Sequence, residues 1–320
     1  MHNPDHGRPM SSVRFKTRQL ELLVSLAETF SLRQAAERIH ISQPAATRLL
    51  HELESAMDLA LFERSRQGMQ PTAAGLVMVE HARVLLAAMR DACVDTKDAS
   101  EGKIGSLRLG VFGGADPECV AMSVLELKRR YPRIKVMIKE APLEMLLAAL
   151  RDGELDLIVS RVVEADPGDT LALEVLYDET FVIACGARSS LARKRAVSVG
   201  VLFDKTWLIP PSDTLARQHV DAYFARVYGK SPPGIIESAS PLANLALLSH
   251  SDSVVVLASQ LADFLIKQGL LRRLPVKLDR FSRPVALITS RIQVVKPQLE
   301  CMMQLMRAYA AQVADGGQSG

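Results

Sequence analysis

The feature that most constrains this chain is a change of hydrophobic period near residue 105. Before it, apolar residues recur every three or four positions. Leu20, Leu23, Val24 and Ala27 share one helix face, Ala35, Ala36 and Ile39 a second, and Ala45, Ala46, Leu49, Leu50 and Leu53 a third. Short strand-like segments at 59–62 and 69–70 flank a turn at Gly68. Pro71-Thr72 then opens a helix that can run to about Lys97. Within it Val79, Ala82, Leu86, Met89, Cys93 and Thr96 step by threes and fours, the spacing of a coiled-coil seam, and this reading ranks above a helix lying on its own domain. Residues 100–105 read as a hinge.

Beyond the hinge, short apolar runs alternate with amphipathic stretches. Strands are expected at 107–112, 134–139, 155–159, 181–185, 207–209, 235–237, 254–257 and 285–289. Helices are expected at 118–130, 143–151, 214–228, 242–248, 260–268 (stopped by Gly269) and 297–312, with 314–320 unstructured. Alternation of this kind means a parallel sheet covered on both faces. Its recurrence suggests two α/β lobes with a cleft between them.

Composition removes several function classes. At 320 residues the chain suits two or three domains. Its 39 Lys and Arg against 36 Asp and Glu give no whole-protein basic field to attract nucleic acid. No apolar run is long enough to cross a bilayer, and residues 1–12 lack the apolar stretch of a signal peptide. Cys93, Cys119, Cys185 and Cys301 stand far apart without metal-ligand spacing. The expectation is a cytoplasmic protein with no metal, cofactor, disulfide framework or membrane partner.

Residues 31–50 carry helix-turn-helix physics. Ser31 suits an N-cap, and Ala35-Ala36 let two helices cross closely. His40-Ile41 form the turn, Ser42 caps the second helix, and Pro44 sits in its first turn, where a missing N–H does no harm. Gln43, Thr47 and Arg48 then lie at the exposed start of that helix, the part that enters the major groove in such motifs. There Gln can read adenine, Arg can read guanine or hold phosphate, and the Thr methyl can touch thymine. Arg64 and Arg66, flanking the next turn, suit phosphate. The full expected DNA-facing set is Ser31, Arg33, Ser42, Gln43, Pro44, Thr47, Arg48, Arg64 and Arg66. From residue 11 to 75, eight basic residues face seven acidic ones, so binding relies on segregation of the signs.

The run Ala35-Ala36-Glu37-Arg38-Ile39-His40-Ile41-Ser42-Gln43-Pro44-Ala45-Ala46-Thr47-Arg48 resembles the LysR-type family of bacterial transcriptional regulators. Leu53-Glu54, Leu61-Phe62-Glu63-Arg64 and Thr72-Ala73-Ala74-Gly75 continue the likeness in order and distance. It extends more weakly through Tyr131-Pro132 and Gly153-Glu154-Leu155-Asp156-Leu157. Phe30 and Asp58 stand where the family usually has glycine, and Pro71 where it has leucine. A positive φ at Asp58 carries a conformational cost.

The resemblance implies an N-terminal all-α winged helix-turn-helix over 14–72 and a linker helix with hinge over 73–104. A two-lobed, periplasmic-binding-protein-like effector domain follows over 105–312. Lobe I then covers about 105–178 and 268–312, and lobe II about 179–267. The partners it implies are double-stranded DNA with an approximately palindromic operator, a small-molecule effector such as an organic acid or sugar, and a second copy through the linker helix. A homotetramer and contact with RNA polymerase are admitted as well.

In open α/β sheets ligands sit beyond the carboxyl ends of strands, near helix N-termini. That rule selects Gly113, Gly114 and Ala115, then Ala141, Ser160 and Arg161, and finally Ser212, Asp213, Thr214, Ser238 and Ser240. Singly these are ordinary turn and cap residues; as a set they suit an oxygen-rich or anionic ligand. Cys185 and His219 lack a marked third partner for nucleophilic catalysis, and residues 110–114 fail the dinucleotide-binding spacing. Trp207 reads as core, and Lys128-Arg129-Arg130 as a solvated helix end. A solute-binding protein of a transport system is the alternative, supported by the two lobes but opposed by the helix-turn-helix. An enzyme is a third reading, without a motif to carry it.

Overall fold

The computed structural model describes residues 14–100, 105–112, 116–161, 170–212, 215–276, 282–292 and 296–316. The chain begins with α1 (Thr17–Thr29), α2 (Leu32–Arg38) and α3 (Gln43–Met57), then a hairpin of β1 (Phe62–Ser65) and β2 (Gly68–Pro71). Leu20, Leu22, Leu23 and Leu26 of α1 are buried against Ala35 and Ala36 of α2 and Ala46, Leu50 and Leu53 of α3. The small alanines allow this close crossing. Glu54 ties α3 to the hairpin, its carboxylate accepting N–H groups of Leu61 (2.8 Å) and Phe62 (3.1 Å).

Phe30 (φ 52°), His40 (φ 57°) and Asp58 (φ 54°) are left-handed. Two of them are the expected glycine positions, so the backbone demand persists although the residue has changed. The Phe30 carbonyl accepts from the Met69 N–H at 2.8 Å. A Cβ on Gly68 (φ +108°) would stand 2.2 Å from that oxygen, which explains glycine there.

The helix α4 (Ala73–Ser100) corrects the expected seam. Met78, Val79 and Ala82 are buried in the core of the N-terminal unit, and half-buried Leu86 packs beside them. A three-four spacing marks an apolar stripe without saying what covers it; here α1 covers it. Among its described side chains, the large apolar ones left exposed are Leu76, Val77, Leu85, Met89 and Val94.

The remaining strands, β3 (Ser106–Val111), β4 (Lys135–Glu140), β5 (Leu157–Arg161), β6 (Leu171–Gly186), β7 (Thr206–Ile209), β8 (Gly234–Glu237), β9 (Val254–Ala258), β10 (Leu271–Arg273) and β11 (Ser282–Ser290), form one sheet, in the order β4-β3-β5-β11-β6-β9-β7-β8 with β10 beside β6 off that path. β3, β4 and β5 are parallel, with β11 antiparallel to β5. α5 (Pro117–Arg130) and α11 (Pro297–Gly316) bury one face of this lobe, and α6 (Leu143–Arg151) the other. In the second lobe β7 runs parallel to β8 and β9. Packed with them are α7 (Val199–Phe203), α8 (Leu215–Tyr228), α9 (Pro241–His250) and α10 (Ser259–Lys267). Trp207 is core, its indole N–H donating to the Leu202 carbonyl at 2.9 Å.

One strand, β6 (Leu171–Gly186), belongs to both lobes. It pairs with β11 through Thr180 and with β9 from Phe181 onward. Its first ten residues are absent from the strands expected above. β10 (Leu271–Arg273) pairs with Ala184–Gly186, so the chain is still in lobe II at 273, past the expected return at 268. Helix α11 continues to Gly316, beyond the expected 312; residues 317–320 lie outside the described residues.

Candidate functional site

The helix-turn-helix has the capping that its sequence calls for. Ser31 Oγ accepts from the Gln34 N–H, and Ser42 Oγ from the Ala45 N–H, both at 3.4 Å. Pro44 occupies the first turn of α3. Gln43, Thr47 and Arg48 are all exposed, and the Thr47 hydroxyl donates to the Gln43 carbonyl at 3.0 Å. The Arg48 side chain is 84% exposed, with Glu52 3.9 Å away, a separation too wide to hold it. Arg33 is similarly loose, 3.9 Å from Glu37. Arg64 lies on β1 and Arg66 at the hairpin tip; both are exposed and form no ion pair among the described residues. Two acidic side chains of this unit are engaged by other cations: Glu52 with Lys16 (2.7 Å), and Glu28 with Arg38 and Arg83; Glu63 on β1 is exposed. Arg48 at the start of α3 and Arg64 and Arg66 on the hairpin are thus exposed without a close ion pair among the described residues.

The proposed effector residues fare unevenly. Gly113, Gly114, Ala115, Asp213 and Thr214 lie outside the described residues. Ala141 is half-buried just after β4. Ser160 is fully buried within the sheet, opposite Ala286, its hydroxyl donating to the Arg161 carbonyl at 2.9 Å. It therefore offers no open surface to a ligand, a correction to its place in the expected set. Arg161 is paired with Glu179, and its guanidinium stands 5.4 Å from the Phe181 ring centre. In lobe II, the exposed Ser212 donates its N–H to Glu237 at 2.9 Å. Ser238 Oγ accepts from the Ser240 N–H at 3.2 Å, and Ser240 caps α9.

Three groups at the junction of the lobes escaped sequence reasoning. Glu179 is completely buried, and burial pushes its carboxyl above the usual range against the pull of Arg161. Thr180 donates to the Ser259 hydroxyl at 3.0 Å, joining β6 to the start of α10. Asp116 caps α5, accepting the N–H groups of Glu118 (2.9 Å) and Cys119 (3.2 Å). Burial raises the Asp116 carboxyl too, opposed by those N–H bonds. The folded state thus holds the Asp116 proton more tightly than the unfolded chain. This contribution to stability is full below the ordinary carboxylate range and lost as pH rises through the folded value. Asp116→Asn keeps the cap and removes the ionisation. Its melting temperature should gain on that of the original protein as pH rises from the ordinary carboxylate range through the folded value; a constant difference would contradict a buried, costly carboxylate.

Burial raises the thiols of Cys119, to about 12, and Cys185, which suits packing rather than nucleophilic attack. Cys93 is exposed on α4. Among the described residues no cluster of His, Cys, Asp and Glu is arranged to hold a metal, and no helix is long and apolar enough to cross a membrane.

Comparison with known proteins agrees with this architecture. Residues 17–76 match the family model of the bacterial regulatory helix-turn-helix protein, lysR family, and residues 100–311 match the LysR substrate binding domain. The transcriptional regulator GbpR of Azospirillum brasilense is 31% identical over 298 residues, covering 92% of this chain and 86% of its own. The regulator GalR of Pseudomonas putida is 26% identical, covering 94% and 75%. Among solved structures, a full-length OxyR from Pseudomonas aeruginosa superposes with a TM-score of 0.57 at 22% identity, covering 92% and 98%. CbnR in complex with its target DNA gives 0.51 at 21%, covering 92% and 99%. The chain belongs to the LysR family and is a transcriptional regulator with a helix-turn-helix domain and an effector-binding domain. The relatives are named as regulators, not as transport solute-binding proteins.

Proposed function

We propose that α3 enters the major groove of an approximately palindromic operator, with Gln43, Thr47 and Arg48 at base edges and Arg64 and Arg66 on the flanking phosphates. The observation that carries this is the exposed, weakly paired start of α3 beside a wing whose two arginines have no acidic partner among the described residues. Ser31, Arg33, Ser42 and Pro44 support the same surface. The effector enters between the lobes near Ala141, Arg161, Ser212, Ser238 and Ser240; Gly113–Ala115, Asp213 and Thr214 complete the proposed rim. It is a small oxygen-rich molecule, an organic acid or a sugar. The units are a DNA-binding domain over 14–72, a linker over 73–104 and an effector domain over 105–312, with lobe II reaching at least to Arg273. Two chains pair through the exposed face of α4, and pairs associate further as tetramers. The protein acts in the cytoplasm, without catalysis of its own, on transcription by RNA polymerase.

Anisotropy titrations of labelled duplexes at several salt concentrations test the DNA reading. Gln43→Ala or Arg48→Ala should cost about 1–3 kcal/mol on the preferred site and little on scrambled DNA. Arg64→Ala or Arg66→Ala should weaken both duplexes alike and flatten the salt dependence. If Gln43→Ala and Arg48→Ala both bind the preferred site like the parent, the recognition helix is misassigned.

A further inference from the structure

The two halves of the chain meet through a polar joint. Arg83 of α4 reaches Glu28 of α1 at 3.1 Å and also pairs with Asp152, just behind α6 in lobe I. Arg90, two turns further along, donates to the Asp152 carbonyl. Asp91 receives Arg108 of β3 at 3.0 Å and Lys296, ahead of α11, at 3.0 Å. Arg108 is itself held by Asp156 at 2.7 Å. The Asp91, Arg83 and Arg108 side chains are all less than one-fifth exposed.

The apolar share of this joint is small. Among the described side chains of α4 beyond the N-terminal core, Ala87 is the buried apolar residue, while Met89, Cys93 and Val94 stay exposed. The Nε of Arg83 is buried and finds no acceptor among the described residues. Beside the joint, a cleft of about 860 Å³ opens between α1, α4 and the turn at Asp152–Glu154, leaving space for relative movement. Ion pairs of this kind fix orientation firmly, yet exchange for water at small net free energy, whereas an apolar seam of equal area would not.

We propose that the Arg83–Asp152 and Asp91–Arg108–Lys296 pairs are a breakable latch that fastens α4 to lobe I. While it is closed, a movement of lobe I carries α4 and, through the Arg83–Glu28 contact, the reading helices. The latch goes beyond the DNA and effector assignments above. Its test uses neither DNA nor effector, so the two readings fail separately.

Amide hydrogen exchange on the full-length protein reads the latch directly. In Arg83→Met/Asp91→Asn, amides over residues 84–94 should exchange at least about tenfold faster than in the parent, with α3 and β7 unchanged. Equal protection of α4 in parent and variant, with the melting curve showing a folded protein, overturns the proposal. Should Arg83→Met melt the N-terminal unit, Asp91→Asn/Lys296→Met decides by the same criterion, since Asp91 pairs with Arg108 and Lys296, both of lobe I.

Discussion

Val79→Asp should unfold the N-terminal domain, whereas Leu85→Asp, six residues along the same helix, should leave the fold intact and reduce the protein to monomers. Val79 is 4% exposed and packs with Leu20, Leu23 and Ala82. A carboxylate there is buried without a partner and loses the apolar contact as well, for a cost of more than about 4 kcal/mol. Leu85 is 42% exposed on the other side of α4, one turn before Met89 at 47%. Within one chain an Asp at 85 stays solvated; between two α4 helices it leaves a charge in the contact. Sedimentation and thermal melting separate the outcomes. A Leu85→Asp protein that remained dimeric at micromolar concentration would remove the proposed pairing face without touching the DNA motif.

The second large effect concerns the strand shared by the lobes. Arg161→Met should destabilise the effector domain by about 3–5 kcal/mol near neutral pH, because it strands the fully buried Glu179 carboxylate. The sign with pH follows from the direction of the shift. Burial already raises the Glu179 carboxyl, and Arg161 is what opposes the rise. Without the arginine the folded value climbs further, so the variant's deficit should shrink on acidification and grow as pH rises through that value. Arg161→Met/Glu179→Met removes both charges at similar volume and should recover most of the loss. A cycle in which the double variant is as unstable as Arg161→Met would place the damage in packing rather than in the pair.

What the sequence disclosed followed the range of the interactions involved. The helix-turn-helix was legible because its determinants are local: Ser31 and Ser42 cap helices that begin one residue later, and Pro44 tolerates only the first turn. The parallel strands of both lobes were legible as apolar runs. The opening half of β6 was not, since Glu174, Asp178 and Glu179 interrupt any apolar run there. The structure pairs Glu174 with Arg307 and Glu179 with Arg161, neither near in sequence. The α4 stripe failed in the opposite way: its period was correct, but a period cannot tell whether α1 or a second chain covers it. Ser160 shows the same limit, being at the carboxyl end of a strand and yet sealed beneath its neighbours.

Selection from randomised duplexes by the full-length protein, followed by sequencing, tests the central claim most directly. A two-fold pair of α3 helices predicts an enriched, approximately palindromic sequence whose half-sites lie a whole number of helical turns apart. The same selection with Gln43→Ala should lose preference at one base step in each half-site. Enrichment of no sequence by the parent protein, or an unchanged consensus in both Gln43→Ala and Arg48→Ala, would contradict a regulator that reads DNA through α3.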